Sequence, residues 1–297
     1  MAEVLAALAG VNLAAGLAIL LVLAARPAVR RTFGPEVAYG LWAIPPAAGL
    51  ATLLPARIVE GPPSAPATGE VSHAAALLAL WLIGVILAAL SLAVLQIRFL
   101  HLARAGRTGP AVIGVIAPRL VMPRDDDTYS EEERALVRAH EREHMARGDP
   151  RANALLAAAQ CLCWFNPLVH LAAGFIRLDQ ELACDAAVLR RRGVAKAAYA
   201  RALLKVQMSS GALPLGARWL ARGAHPLELR IASLARPPRR DTLAGPILVT
   251  AAVTASIVAA WGGQPPVPER PSLVPQMVGE DRPMSVAIIR MAPAARP

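Results

Sequence analysis

The sequence predicts a mainly α-helical integral membrane protein, with four transmembrane helices and a cytoplasmic domain inserted between the third and the fourth. Its 297 residues are 56% hydrophobic and only 4% aromatic, and the mean hydropathy of +0.45 is too apolar for an ordinary soluble domain. Four uncharged apolar stretches, 4–25, 37–56, 74–95 and 243–261, are long enough for a helix of roughly 20 residues to cross a bilayer. The arginines cluster at particular ends of those stretches, which sets an orientation.

The first stretch follows the acidic MAEV rather than a basic leader, so it is expected to stay as a span. Pro45-Pro46 should kink the second, because proline removes a backbone donor and clashes with the preceding turn. Arg26, Arg30 and Arg31 lie between spans one and two, whereas Arg57 is alone between two and three. Arg98, Arg104 and Arg107 follow the third span, and Arg236, Arg239 and Arg240 precede the fourth. Short cytoplasmic loops carry the Lys/Arg excess. A multi-pass membrane protein is therefore expected, with both termini outside.

The expected organisation is residues 1–99 for the first three helices, 100–242 for the cytoplasmic domain, 243–261 for the fourth helix and 262–297 for a short Pro-rich outer tail. The formal charge of +10 is read as topology charge, not as a nucleic-acid footprint, since much of the arginine flanks apolar runs or sits among acids. Cys161, Cys163 and Cys184 are an odd set without framework spacing, so buried thiols are expected rather than disulfides. In the cytoplasmic region, AVIGVIAPRLVMP (111–123) is β-branched and bounded by Gly and Pro, which predicts one or two strands. The remainder reads as helix.

The chemistry centres on HEREHMARGD (140–149). Ser130 with Glu133 forms a capping box, acids crowd the first turn, Gly148 can cap the end and Pro150 follows, so HEREH sits on a helix. Residues four apart share a face: His140 and His144 can present both imidazoles to one ion, with Glu141 alongside to hold a water. The competing reading is a charged, solvated helix face. A third protein ligand separates the two, because catalytic zinc generally takes three protein groups and leaves a position for water.

No third histidine follows at the short HExxHxxGxxH spacing. A second helix, LDQELACDAAVLRRRG (178–193), offers Glu181 and, one turn later, Asp185; either could instead face solvent, but an unpaired carboxylate among Ala, Leu and Cys would be costly. Between the helices lies an apolar run, 154–176. A single crossing there would put Glu181 on the wrong side of the bilayer. Arg147 and Arg151 before it and Arg177 and Arg190 to Arg192 after it make both ends cytoplasmic, and Asn166-Pro167 supplies a turn. The run is thus expected to be a hairpin, entering the membrane or packing against it, that returns Glu181 toward the histidines.

HEREHMARGD, CWFNPLVH and DQELACDAAVL, placed after three apolar spans and before one, resemble the M56 peptidases, the metalloprotease part of the BlaR and MecR antibiotic-sensing receptors. The resemblance covers about residues 4–261, and the 37-residue step from His144 to Glu181 fits the family pattern. It implies a zinc metalloendopeptidase with one Zn²⁺ per chain held by His140, His144 and Glu181, and Glu141 as general base. It also implies a polypeptide substrate, plausibly a transcriptional repressor, cleaved in signal transduction. In those receptors a penicillin-binding domain follows the last span; here only the short tail does, so no signal is carried over. His170 stands where relatives often place tryptophan, which fits packing rather than a fourth ligand.

Asp149 and Asp185 are candidates for orienting a ligand histidine through its other ring nitrogen; helix stop and surface charge are their alternative readings. The strand-like 111–123 could pair with an extended substrate, or could simply be core. Two other functions stay open, a membrane quality-control zinc protease of the HtpX-like class and a non-catalytic receptor or scaffold with a structural metal site. Expected partners are the polypeptide substrate and the lipid bilayer, with no direct nucleic acid and with homodimer formation left open.

Overall fold

The computed structural model describes residues 1–59, 71–106, 110–122, 129–209, 226–235 and 243–268. Expectations resting on Arg107, Arg236, Arg239, Arg240 and most of the 262–297 tail lie outside them. The uncharged Ala/Leu run of the first span forms one long helix, α1 (Ala2–Thr32), and the third forms α4 (Val71–Arg104). The fourth forms α10 (Ala244–Gly262). All three are long and apolar enough to cross a membrane by length and composition.

The second stretch is not one helix. It divides into α2 (Pro35–Gly40), a 3-10 turn (Leu41–Ala43) and α3 (Ile44–Ala51), because Pro45 and Pro46 cannot donate to the preceding turn. α3 packs between α1 and α10. The broken segment runs beside α10 along its whole length: Val37 meets Gly245 and Gly40 meets Val249 at one end. At the other end, Gln264 donates to the Ala51 carbonyl and Trp261 to the Pro55 carbonyl. Just beyond, β1 (Ile58–Val59) pairs in parallel with β4 (Val267–Pro268).

In the stretch expected to hold one or two strands, β2 (Ala111–Ile113) and β3 (Arg119–Val121) form an antiparallel pair, with Val112 opposite Leu120, and lie against α5 (Glu131–Arg147). α5 begins at the full Ser130/Glu133 capping box and stops at Gly148, whose φ of 74° is left-handed. The same glycine opens α6 (Asp149–Leu162), so the first arm of the hairpin starts earlier than the apolar run. After the Asn166 cap, α7 (Pro167–Arg192) continues unbroken through both the returning arm and the helix read separately at 178–193. No breaker separates them. α8 (Lys196–Ser209) and α9 (Pro226–Leu234) then pack on α5 and α7.

α7 joins two cores. Its first half packs with Ile19, Val22, Leu41 and Trp42 through Val169 and Ala172, and its second half with Ala139, Tyr199, Leu203 and Leu234 through Cys184 and Val188. The α6/α7 turn reaches well along the apolar helices. Asn166 donates to Asn12 of α1 at 3.0 Å, and Trp81 of α4 donates to the Leu162 carbonyl at 2.9 Å. A Cβ on Gly84 of α4 would overlap the Trp164 ring, so glycine is what lets the turn approach so closely. Elsewhere α4 presents Leu80, Ile83, Leu87 and Leu90 outward, each more than half exposed.

Candidate metal centre

α5 carries His140 and His144 one turn apart on a buried face, with rings nearly perpendicular and centroids 4.6 Å apart. Their Nε2 atoms are 3.0 Å apart. α7 brings Glu181 against them, Oε2 at 3.3 Å from His140 Nε2 and Oε1 at 3.5 Å from His144 Nε2. The 37-residue step from His144 to Glu181 is therefore folded so that three ligand-type groups converge.

Each imidazole is held from behind. His144 Nδ1 lies 2.6 Å from Asp149 Oδ2. His140 Nδ1 lies 2.8 Å from the Tyr199 hydroxyl, which itself donates to Asp185 Oδ1 at 2.8 Å; Asp185 Oδ1 is also 3.3 Å from Nδ1. With the Tyr199 proton committed to Asp185, its oxygen accepts from His140 Nδ1–H, and Asp149 accepts from His144 Nδ1–H. Both Nε2 lone pairs then face Glu181 and each other. Two lone pairs so close repel unless a cation lies between them, so the donor set fits a metal. Tetrahedral zinc with ligands at about 2.0–2.1 Å has ligand–ligand edges of about 3.3 Å, close to the 3.0, 3.3 and 3.5 Å spacings of these atoms.

Arg230 of α9 ties the carboxylates together. Its guanidinium forks onto Asp185 with two bonds of 2.8 Å and reaches Glu181 Oε2 at 2.9 Å. Burial pushes both acids up, but the Arg230 charge, with the histidines, holds Glu181 well below the usual carboxylate range and Asp185 at about 2. Both stay ionised. Burial pulls His144 down, yet the Glu181 charge and the Asp149 hydrogen bond carry it to about 10, the mark of a pocket that favours positive charge. Glu141 is raised, chiefly by burial and against the pull of His140 and His144, as suits a group that must take up a proton.

Cys184 is a second neighbour. One ligand atom each from His140, His144 and Cys184 lie within 4.8 Å of one another. Its Sγ, however, donates to the His140 carbonyl at 3.4 Å and faces Nδ1 at 3.5 Å, the back of the ring. His170 is exposed and bonded to the Trp164 carbonyl at 3.0 Å and to Gln160 at 3.3 Å.

All six residues singled out in the sequence, His140, Glu141, His144, Asp149, Glu181 and Asp185, thus gather in one place. Tyr199 and Arg230 were missed. Their segments, KAAYARALLKV and PLELRIASL, read only as part of the helical remainder. Only the unpaired state of Asp185 and Glu181 in an apolar helix signalled that cationic or hydroxyl partners had to exist.

A helical chain with long apolar helices and two histidines facing a carboxylate defines the class of membrane-associated HExxH metalloproteins. Residues 64–234, more than half of the chain, match the family described as BlaR1 peptidase M56, and the protein belongs to that family. Among curated proteins it is similar to the regulatory protein BlaR1 of Bacillus licheniformis, 36% identical over 81 residues. That match covers 27% of this chain and 14% of the relative, so the chain matches a small part of the relative's length.

Proposed function

We propose that this protein is a membrane-embedded zinc metalloendopeptidase that cleaves a cytoplasmic regulator, with a transcriptional repressor as the substrate class that the family resemblance suggests. The observation that carries the reading is the convergence of both Nε2 atoms and the Glu181 carboxylate within 3.0 to 3.5 Å of one another. His140, His144 and Glu181 would hold the ion. Cys184 is the weaker third ligand, because its sulfur lies behind the His140 ring, where Tyr199 is already bonded.

Zinc, when bound there, would supply a Lewis acid that lowers the pKa of water to about 7 and polarises the scissile carbonyl. Glu141 accepts the proton of the attacking water and passes it to the departing amine. Asp149, and Asp185 through Tyr199, keep each ring in the tautomer that leaves Nε2 free. The β2/β3 pair beside α5 offers a strand edge to an extended substrate.

The reading includes four crossings, with both termini outside. What supports the second stretch as a crossing is that the broken segment from Val37 to Pro55 matches the 19-residue α10 end for end. The hairpin dips into the bilayer, since its turn packs against Asn12 and Trp81, each about 20 Å from the cytoplasmic end of its apolar run at 1.5 Å per residue.

The test is Glu141→Gln. The variant should keep a full equivalent of zinc while substrate cleavage falls about 10²–10⁴-fold. Comparing cytoplasmic proteomes of cells carrying either form names the substrate, and processing that persists unchanged rejects the mechanism. A quality-control protease would instead reveal misfolded membrane clients, and a scaffold no difference at all.

A further inference from the structure

The two histidines are supported from different parts of the chain. Behind His140 stand Tyr199 of α8 and Asp185 of α7. Behind His144 stands the buried Asp149, whose Oδ2 is committed to the ring and whose Oδ1 is left for another donor. What meets Oδ1 comes from 110 residues earlier in the chain, the hydroxyl of Tyr39 in α2, at 3.4 Å.

The neighbours of that hydroxyl fix which way it donates. Gln180 of α7, itself buried, donates to it at 3.2 Å, which occupies a lone pair of the oxygen and leaves its proton for an acceptor. An ionised carboxylate can only accept, so the proton is directed to Asp149. The Tyr39 ring carries the Arg147 guanidinium 5.0 Å from its centroid, and Arg147 Nε lies 3.4 Å from Asp149 Oδ2. Because α2 is the first piece of the broken segment beside α10, this contact joins the apolar part of the fold to the metal centre.

We infer that Tyr39 is a positioning residue for the metal centre: through Asp149 it holds the His144 ring with Nε2 aimed at the ion, which makes α2 a working part of the site. The inference rests on reading His144 as a metal ligand. An acid behind a ligand histidine fixes the ring and raises its donor strength, and a hydrogen bond to that acid acts by keeping it in place. At 3.4 Å the Tyr39 contact is long, so its share is that of one weak hydrogen bond, about two- to tenfold in metal affinity.

The experiment is a double-mutant cycle on the detergent-purified full chain, read by chelator competition for Zn²⁺ and by the visible absorption of the Co²⁺-loaded protein. Tyr39→Phe keeps the ring under Arg147 and removes only the hydroxyl. In the parent chain it should lower zinc affinity about two- to tenfold and change the Co²⁺ bands. In the Asp149→Ala background it should do neither, because the group it acts on is gone. Gln180→Leu, which releases the hydroxyl to turn away from Asp149, should follow the same pattern and serves where Tyr39→Phe is poorly recovered. Unchanged affinity in the parent chain overturns the inference. So do equal losses in both backgrounds, the result that packing alone would give. A parent chain that takes up no equivalent of zinc would instead defeat the metal-ligand reading beneath it.

Discussion

Asp179 and Glu181 are two residues apart on α7 and meet opposite fates. Asp179 is fully buried and saturated: Arg26 donates to both oxygens at 2.8 Å, Trp42 at 2.9 Å and Arg30 at 3.2 Å. Arg26 in turn stacks 4.1 Å over Phe175. Glu181, on the face toward α5, keeps about a third of its side chain accessible and spends one oxygen on Arg230. A carboxylate with every lone pair occupied by donors is a structural bolt, here locking α1 and the 3-10 turn to α7. One held in place by a single cation beside two imidazoles keeps an oxygen for a metal.

The comparison predicts opposite phenotypes. Asp179→Ala leaves Arg26 buried without its partner and should cost about 3–5 kcal/mol of stability, read from unfolding of the detergent-solubilised chain, while the folded fraction still binds a full equivalent of zinc. Glu181→Ala should do the reverse, losing zinc with little loss of fold. Matching zinc losses in the two variants would break the distinction.

Acid titration sharpens it further. Asp185 is held at about 2, below its ordinary 3.8, mainly by Arg230 against the cost of burial. Its contribution is fully present above 3.8 and lost as pH falls through about 2, and amounts to about 2 kcal/mol. Thermal unfolding followed down that window should show a shallower acid limb in Asp185→Asn than in the parent protein. Asp149→Ala, which frees the back of His144, should lower zinc affinity by about 10–100-fold in a chelator competition. At the foot of the scale, Ser130→Ala removes an exposed cap far from both carboxylates and should cost about 1 kcal/mol with unchanged zinc content.

Much of this centre was legible because its signals are local. The Ser130/Glu133 box, the stop at Gly148 and the i, i+4 pair in HEREH all act within a turn or two of chain, and each stands as read. Asn166-Pro167 likewise turned the apolar run back on itself. The long helix α7 was read in two pieces because a change from apolar to charged composition looked like a boundary, yet no residue there interrupts the backbone hydrogen bonds. The second span was read as a kinked helix, and two adjacent prolines went further, dividing it around a 3-10 turn.

By itself the sequence determined the apolar helices, their basic ends, the caps and the two histidines on one helix face, since periodicity and capping are decided between residues a few positions apart. Only the tertiary structure decided which acid meets those histidines, and that Tyr199 and Arg230 stand behind it while Arg26 and Trp42 claim Asp179 instead. Those partners come from helices up to 153 residues apart, and only their packing angle on α7 assigns neighbouring carboxylates to opposite faces.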